Sequence, residues 1–173
     1  PDAPSLLVPG LSNQQAALSA VSATYNFFTP PLQPYTPAFH YLAGTFDANG
    51  LPTGLQFANY NNVLQKILTS PSYQSVGEMI DGEAIEADLP NAPYGANLNQ
   101  ITLPVLYIGA AGGYGDSGLY TLDLLGSSDK QSLMISLQAP EYVAVDYGHA
   151  DLLWGNNAKV LVWEPLKHWI NTH

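Results

Sequence analysis

Proline is distributed unevenly along this chain, and that distribution restricts the fold more than any other feature of the sequence. Of the 14 prolines, only Pro104, Pro140 and Pro165 lie beyond residue 100. Because proline lacks a backbone N–H and fixes φ, such a density of proline interrupts helices and excludes central strands. We therefore expect residues 1–100 to form short helices joined by irregular segments, with helices over 13–27, 59–68 and 73–86.

An unbroken apolar run opens the second half of the chain. Residues 101–110, ITLPVLYIGA, are rich in large aliphatic side chains, which is typical of a strand buried on both faces. We expect a helix over 119–125 after the glycine-rich segment that follows, and then a second strand over 141–148, EYVAVDYG. A last helix is expected over 159–170, and Pro165 requires that its first turn begin there or that it kink. Strands that alternate with helices predict an α/β architecture.

The charge of the chain excludes several classes of partner. The sequence has no arginine and four lysines against 14 acidic residues, which gives a net charge of −10. A surface so poor in cations argues against binding to nucleic acid and to an anionic membrane surface. The sequence contains no apolar run of about 18 residues, so we expect no transmembrane segment. Low charge with abundant Asn, Gly, Tyr and Pro suggests a secreted or extracytoplasmic protein.

The residues that most often hold metals are scarce or badly spaced. There is no cysteine, so disulfides and thiolate metal sites are excluded. The four histidines, His40, His149, His168 and His173, do not have the spacing of metal ligands. Residues 47–50, DANG, match part of a calcium loop, but the remaining ligands are missing, so we interpret them as a turn. We expect neither a metal nor another cofactor.

Two polar side chains follow the two predicted strands. Asp116 lies in the glycine-rich loop after the first strand, and His149 comes directly after the second. Since catalytic groups gather beyond the carboxyl ends of strands, we expect both at one edge of the sheet. A carboxylate that accepts from one ring nitrogen leaves the other free to take a proton from a nucleophile. Asp116 and His149 are therefore the candidate catalytic pair; Asp123 is the alternative acid, and Asp151 is interpreted as a structural cap.

The region around His149 resembles a known family. The stretch YGHADLLWG (147–155), ahead of VWEPLKHWI (162–170), is similar to the catalytic-histidine region of ester- and lipid-hydrolysing α/β-hydrolases. The resemblance implies that residues 101–173 are the C-terminal core segment of an α/β-hydrolase sheet and that residues 1–100 form a proline-rich, mainly helical cap. It also implies a serine hydrolase that cleaves carboxylic esters through an acyl-enzyme, with His149 as general base and Asp116 as acid.

The sequence departs from that family at the nucleophile. These enzymes carry a serine on a G-x-S-x-G turn, and the nearest stretch here is GDSG at 115–118. We therefore expect the serine, the oxyanion hole and the remaining strands to come from a second polypeptide or a missing N-terminal half, because a sheet of two or three strands is poorly stable alone. The substrate is expected to be a hydrophobic ester, to which apolar side chains of the cap are suited. These are Phe27, Phe28, Leu32 and Phe39.

Three other interpretations remain open. The same catalytic groups can cleave an amide or a peptide. A chymotrypsin-like triad follows the chain order His, Asp, Ser, and this order is also found in His40, Asp81 or Asp88, and Ser117. The helical pattern, however, does not suit a double β-barrel. The third is a non-catalytic binding module with a tyrosine-rich surface. The tyrosines in question are Tyr35, Tyr41, Tyr60, Tyr73 and Tyr94.

Overall fold

The computed structural model describes residues 2–23, 39–71, 75–86, 89 and 95–173 of the chain. These residues form a mixed α/β fold of helices and two small sheets. The elements of the first half are α1 (Asn13–Ser22), β1 (Gly44–Phe46), β2 (Pro52–Leu55), α2 (Tyr60–Thr69) and α3 (Val76–Glu86). The second half contains β3 (Val105–Ala110), α4 (Gly115–Leu124), β4 (Lys130–Ile135), α5 (Asp151–Trp154) and α6 (Glu164–Thr172). Short 3₁₀-helical segments cover Gly95–Gln100 and Pro140–Val145, and a π-helical segment covers Lys159–Trp163.

Helices α1 and α2 begin at polar side chains that cap them. The Ser12 hydroxyl accepts from the backbone N–H of Gln15 at 3.2 Å, and the Gln15 side chain accepts from the N–H of Ser12 at 3.0 Å. The Asn59 side chain caps α2 by accepting from the N–H of Asn62. These bonds satisfy N–H groups that the first turn leaves free, so both helices begin within one residue of the predicted positions. The rest of the helix predicted over 13–27 lies partly outside the described residues.

Strands β1 and β2 form an antiparallel hairpin in the proline-rich half. One oxygen of Asp47 accepts from the backbone N–H groups of Asn49 and Leu51, at 2.8 and 2.9 Å. Gly50 has φ of +77°, a conformation that a side chain disfavours. Residues 47–50 are therefore a turn held by a carboxylate, as predicted.

Strands β3 and β4 and the helix α4 between them form a βαβ unit. The two strands are parallel, and Val105 pairs with Lys130 and Ala110 with Ile135. Pro104 lies just before β3, where its missing N–H does not interrupt the pairing. The first predicted strand is therefore confirmed over its second half.

The strand predicted over 141–148 is wrong, because residues Pro140–Val145 form a 3₁₀-helix. Pro140 stands at the start of this helix, where a missing N–H costs little. The N–H of Tyr142 then donates to the carbonyl of Ala139 at 2.8 Å. The strand that pairs with β3 is β4, which begins with polar residues and has its buried residue, Ile135, at its end.

Two apolar clusters form the core of the described residues. The larger joins β3, β4, α5 and the π-helical segment to the loop that carries Tyr147, and its buried members are Ala110, Ile135, Tyr147, Leu152 and Val162. The smaller contains Leu42, Ala58 and Val63. Pro165 lies in the first turn of α6, directly after the π-helical segment, so the last helix is interrupted where its proline predicts. Of the helices in the described part of the chain, none is both long and apolar enough to cross a lipid bilayer.

Candidate functional site

The chain after β3 and the turn that carries His149 approach each other so closely that two glycines are required. A Cβ on Gly113 would lie 2.6 Å from the backbone nitrogen of His149, and one on Gly112 would lie 2.6 Å from the carbonyl oxygen of Asp146. The N–H of Gly112 donates to the carbonyl of Tyr147 at 2.9 Å. The glycine-rich segment thus brings His149 to the carboxyl end of β3, which is where the sequence placed it.

Residues 39–43, from the proline-rich half, lie against both of these loops. The N–H of His40 donates to the carbonyl of Gly112 at 3.0 Å. The carbonyls of His40 and Tyr41 in turn accept from the N–H groups of His149 and Ala150, at 3.2 and 2.6 Å. A segment more than 100 residues earlier in the chain therefore forms part of the support of His149.

Two buried carboxylates hold the backbone on either side of His149. Asp146 accepts from the N–H groups of Leu137 and Tyr147 and from the Ser136 hydroxyl, at 2.7 to 2.8 Å. Asp151 has no exposed surface, and its Oδ2 accepts from the N–H groups of Ala43 and Gly148. Burial raises the pKa of Asp151 to about 6, while the two N–H donors act in the opposite direction.

Asp151 has the structural role that the sequence suggests, with one difference. It caps the turn that begins at Gly148, but it lies inside the first turn of α5 and does not cap that helix with its side chain. Its bond to Ala43 joins the two halves of the chain, which no local pattern could indicate.

The ring of His149 reaches solvent and stands against one aromatic side chain. The Tyr114 ring meets it edge to face, with 5.6 Å between the ring centroids. The neighbouring atoms bury part of the imidazole and thereby lower its pKa. A histidine with a lowered pKa is neutral near pH 7 and is therefore able to accept a proton.

Asp116 does not pair with His149 in this structure. No hydrogen bond or ion pair joins the two side chains, both of which lie in the fully described stretch 95–173. Asp116 is exposed in the first turn of α4, and its charge helps burial to raise the pKa of Tyr107. Asp123, the alternative acid, is exposed farther along the same helix. The structure thus places His149 at the expected edge and both candidate acids on the crossover helix.

The residues of the chymotrypsin-like interpretation lie in unrelated places. His40 is fully buried, and its Nε2–H donates to the carbonyl oxygen of Asp146 at 2.6 Å. Burial lowers the pKa of His40. Ser117 is exposed on α4 and Asp81 is exposed on α3, whereas Asp88 lies outside the described residues. A buried histidine committed to a backbone carbonyl is poorly placed to activate a serine on an exposed helix.

Several residues that the sequence assigned to a substrate-binding surface are either buried in the fold or lie outside the described residues. Phe39 is buried, and its ring packs against Tyr114 and Tyr41 at centroid distances of 3.7 and 5.5 Å. It therefore supports the ring beside His149 and does not line an open pocket. Tyr60 is half-buried at the start of α2. The remaining residues lie outside the described part of the chain: Phe27, Phe28, Leu32, Tyr35, Tyr73 and Tyr94.

Sequence reasoning missed the role of His40 and Asp146, whose mutual hydrogen bond braces the loop before His149. The signal for Asp146 is present in the sequence, since an aspartate at the end of an apolar stretch must find donors once it is buried. Among the described residues, no group of three or more His, Asp or Glu side chains is placed to hold a metal ion. Comparisons with protein-family models, with curated proteins and with solved structures found no match to this chain.

Proposed function

We propose that this chain provides the general base, His149, of a serine hydrolase that cleaves carboxylic esters through an acyl-enzyme. One observation carries the proposal: an exposed imidazole with a lowered pKa stands on a rigidly bonded turn at the carboxyl end of β3. Such a group is available to a nucleophile and is neutral when the nucleophile must be deprotonated.

His149 acts twice in the proposed reaction. Its free ring nitrogen takes the proton of a serine hydroxyl as the serine oxygen attacks the ester carbonyl. The imidazolium then gives that proton to the departing alkoxide, which leaves as the alcohol and produces the acyl-enzyme. In the second half, His149 takes a proton from water as the water oxygen attacks the acyl carbon. The imidazolium then gives this proton to the serine oxygen as its bond to the acyl carbon breaks, which releases the carboxylic acid and regenerates both side chains.

The acid of the triad rests on the sequence resemblance alone. Asp116 is the residue that the resemblance assigns, and it lies on α4 without a bond to His149. A variant of Asp116 therefore tests the role of this carboxylate separately from the role of His149. Asp116→Asn is expected to lower kcat by about 10²- to 10⁴-fold if the carboxylate orients the imidazolium. Asp123→Asn, on the same helix, provides the comparison.

In this proposal, the serine and the remaining strands of the sheet belong to a second polypeptide or to a segment outside this sequence. Large apolar side chains on α2, on α3 and before β3 support it, because they remain exposed to solvent: Leu68, Val76, Ile80 and Leu103. Large apolar side chains that remain in solvent are expected where a partner covers the surface. We also propose that the substrate is a hydrophobic ester and that the protein acts outside the cytoplasm, on the composition of the chain.

A serine-reactive probe applied to the native assembly tests the proposal. The protein is isolated from its own cells and treated with a fluorophosphonate, and hydrolysis of p-nitrophenyl butyrate is measured. We expect the labelled serine to lie in a polypeptide or segment that accompanies the chain. His149→Ala is expected to lower kcat by at least about 10³-fold, whereas His168→Ala, at an exposed histidine of α6, should leave it unchanged.

Two results would refute the ester hydrolase. One is the absence of fluorophosphonate labelling from every polypeptide that accompanies the chain. The other is full turnover by His149→Ala, which would favour a non-catalytic binding module. Comparison of p-nitrophenyl butyrate with the corresponding p-nitroanilide distinguishes an esterase from an amidase of the same mechanism.

A further inference from the structure

The backbone N–H groups around His149 are all bonded to acceptors from elsewhere in the fold. Gly148 donates to Asp151 Oδ2 at 2.9 Å, His149 donates to the carbonyl of His40 at 3.2 Å, and Ala150 donates to the carbonyl of Tyr41 at 2.6 Å. Three consecutive N–H groups are thus fixed by three acceptors. The imidazole retains only its own side-chain rotations, so its location depends on these bonds.

Asp151 is the one side chain among these acceptors, and it connects the turn to the first half of the chain. The same oxygen that accepts from Gly148 also accepts from the N–H of Ala43 at 2.8 Å. The carboxylate therefore joins the peptide before His149 to residues 40–43, whose carbonyls hold the next two N–H groups. Loss of this oxygen would release both sides of the connection at once.

We propose that Asp151 is a positioning residue for His149, which holds the turn 148–151 against residues 40–43 in the geometry that proton transfer needs. This inference rests on the proposed function, since it assigns a role to Asp151 through the general base. Asp151 acts through the backbone: its carboxylate is bonded to two N–H groups and makes no hydrogen bond to the imidazole. Placement of a general base is sensitive to displacements of about 1 Å.

A second residue of this chain provides a matched control. Asp47 Oδ1 also accepts from two backbone N–H groups, those of Asn49 and Leu51, but it is exposed in the β1–β2 hairpin. Asp47→Ala therefore removes the same kind of carboxylate and the same number of bonds at another place. Asp151→Asn keeps one carbonyl oxygen that can accept from both N–H groups, so it tests whether the acceptor or the charge matters.

The experiment measures turnover and amide exchange in the same set of variants. In the native assembly with p-nitrophenyl butyrate, we expect Asp151→Ala to lower kcat by about 10- to 100-fold with little change in KM. Asp151→Asn is expected to restore kcat to within about threefold of the wild type, and Asp47→Ala to remain within the same limit. Hydrogen exchange should accelerate at Gly148 and His149 in Asp151→Ala alone.

The outcomes separate the positioning role from the proposed function. A kcat for Asp151→Ala within about threefold of wild type, or unaltered exchange at Gly148 and His149, overturns the positioning role. If the wild-type assembly itself shows no turnover, the proposed function fails, and amide exchange still decides whether Asp151 holds the turn. If Asp151→Ala does not fold, Asp151→Ser takes its place under the same criteria, because its shorter side chain does not reach both N–H groups.

Discussion

The buried Asp151 carboxyl should make the folded chain less stable as the pH rises from about 4 to about 7. Burial raises the pKa of this group from 3.8 to about 6. The folded state then binds the proton more tightly than the unfolded state does. A carboxyl of this kind stabilises the fold at pH values below the unfolded pKa, and the contribution disappears as the pH rises through about 6.

The size of the effect follows from the difference between the two pKa values. A difference of about two pH units corresponds to about 3 kcal/mol in the free energy of unfolding over the whole range. Only part of this range is convenient to measure. Between about pH 7 and about pH 4.5 the contribution amounts to about 2 kcal/mol, because the unfolded carboxyl remains mostly ionised at the lower value.

Urea unfolding of the wild type and of Asp151→Asn at several pH values measures this contribution. The other acidic groups are common to both proteins, so the difference between the two free energies of unfolding isolates Asp151. We expect the wild type to gain about 2 kcal/mol relative to the variant as the pH falls from about 7 to about 4.5. A difference that is constant with pH would refute the reasoning. A change in the opposite direction would mean that the two N–H donors outweigh burial.

Two further substitutions test the packing around the site, and a third, in α3, serves as a control. Gly112→Ala should lower the free energy of unfolding by about 1–3 kcal/mol, because its Cβ would lie 2.6 Å from the Asp146 carbonyl oxygen. Gly82→Ala in α3 meets no atom within 4 Å and should raise it by up to about 1 kcal/mol; equal values for the two variants in urea unfolding would contradict this account. Tyr147→Phe loses the bond to Asn157 and should cost about 1 kcal/mol. Ultraviolet titration should also show that this variant lacks a phenol that ionises at about pH 12.

The sequence was informative wherever a structure depends on neighbouring residues. Ser12 and Asn59 cap helices at the expected positions because their partners lie three residues away. The first strand of the βαβ unit is recognisable because a continuous run of large aliphatic side chains favours a strand. The predicted burial on both faces is not met, since Val105 to Ile108 are only half-buried. Pro165 predicts the interruption in the last helix because its missing N–H is a property of the residue itself.

The second strand could not be identified from its own residues. The stretch 141–148 contains the short apolar run of a strand, yet Pro140 begins a 3₁₀-helix there. β4 begins with Lys130, Gln131 and Ser132, whose pattern is not that of a buried strand. Its identity depends on pairing with β3, which is a contact between distant residues. Hydrophobic periodicity indicates which face of a helix or strand is buried, but not which element it packs or pairs with.

The sequence by itself determined the first strand of the βαβ unit, the starts of α1 and α2, the absence of cysteine, the shortage of cations and the presence of a histidine between small residues. Only the tertiary structure decided how that histidine is held. The bonds from Ala43 to Asp151 and from His40 to Asp146 join residues more than 100 positions apart. Buried polar groups must find partners wherever the folded chain offers them, and no local pattern encodes which ones meet. For the same reason, Asp116, which the sequence placed in a loop as the partner of His149, lies exposed in the first turn of α4 and is not bonded to His149.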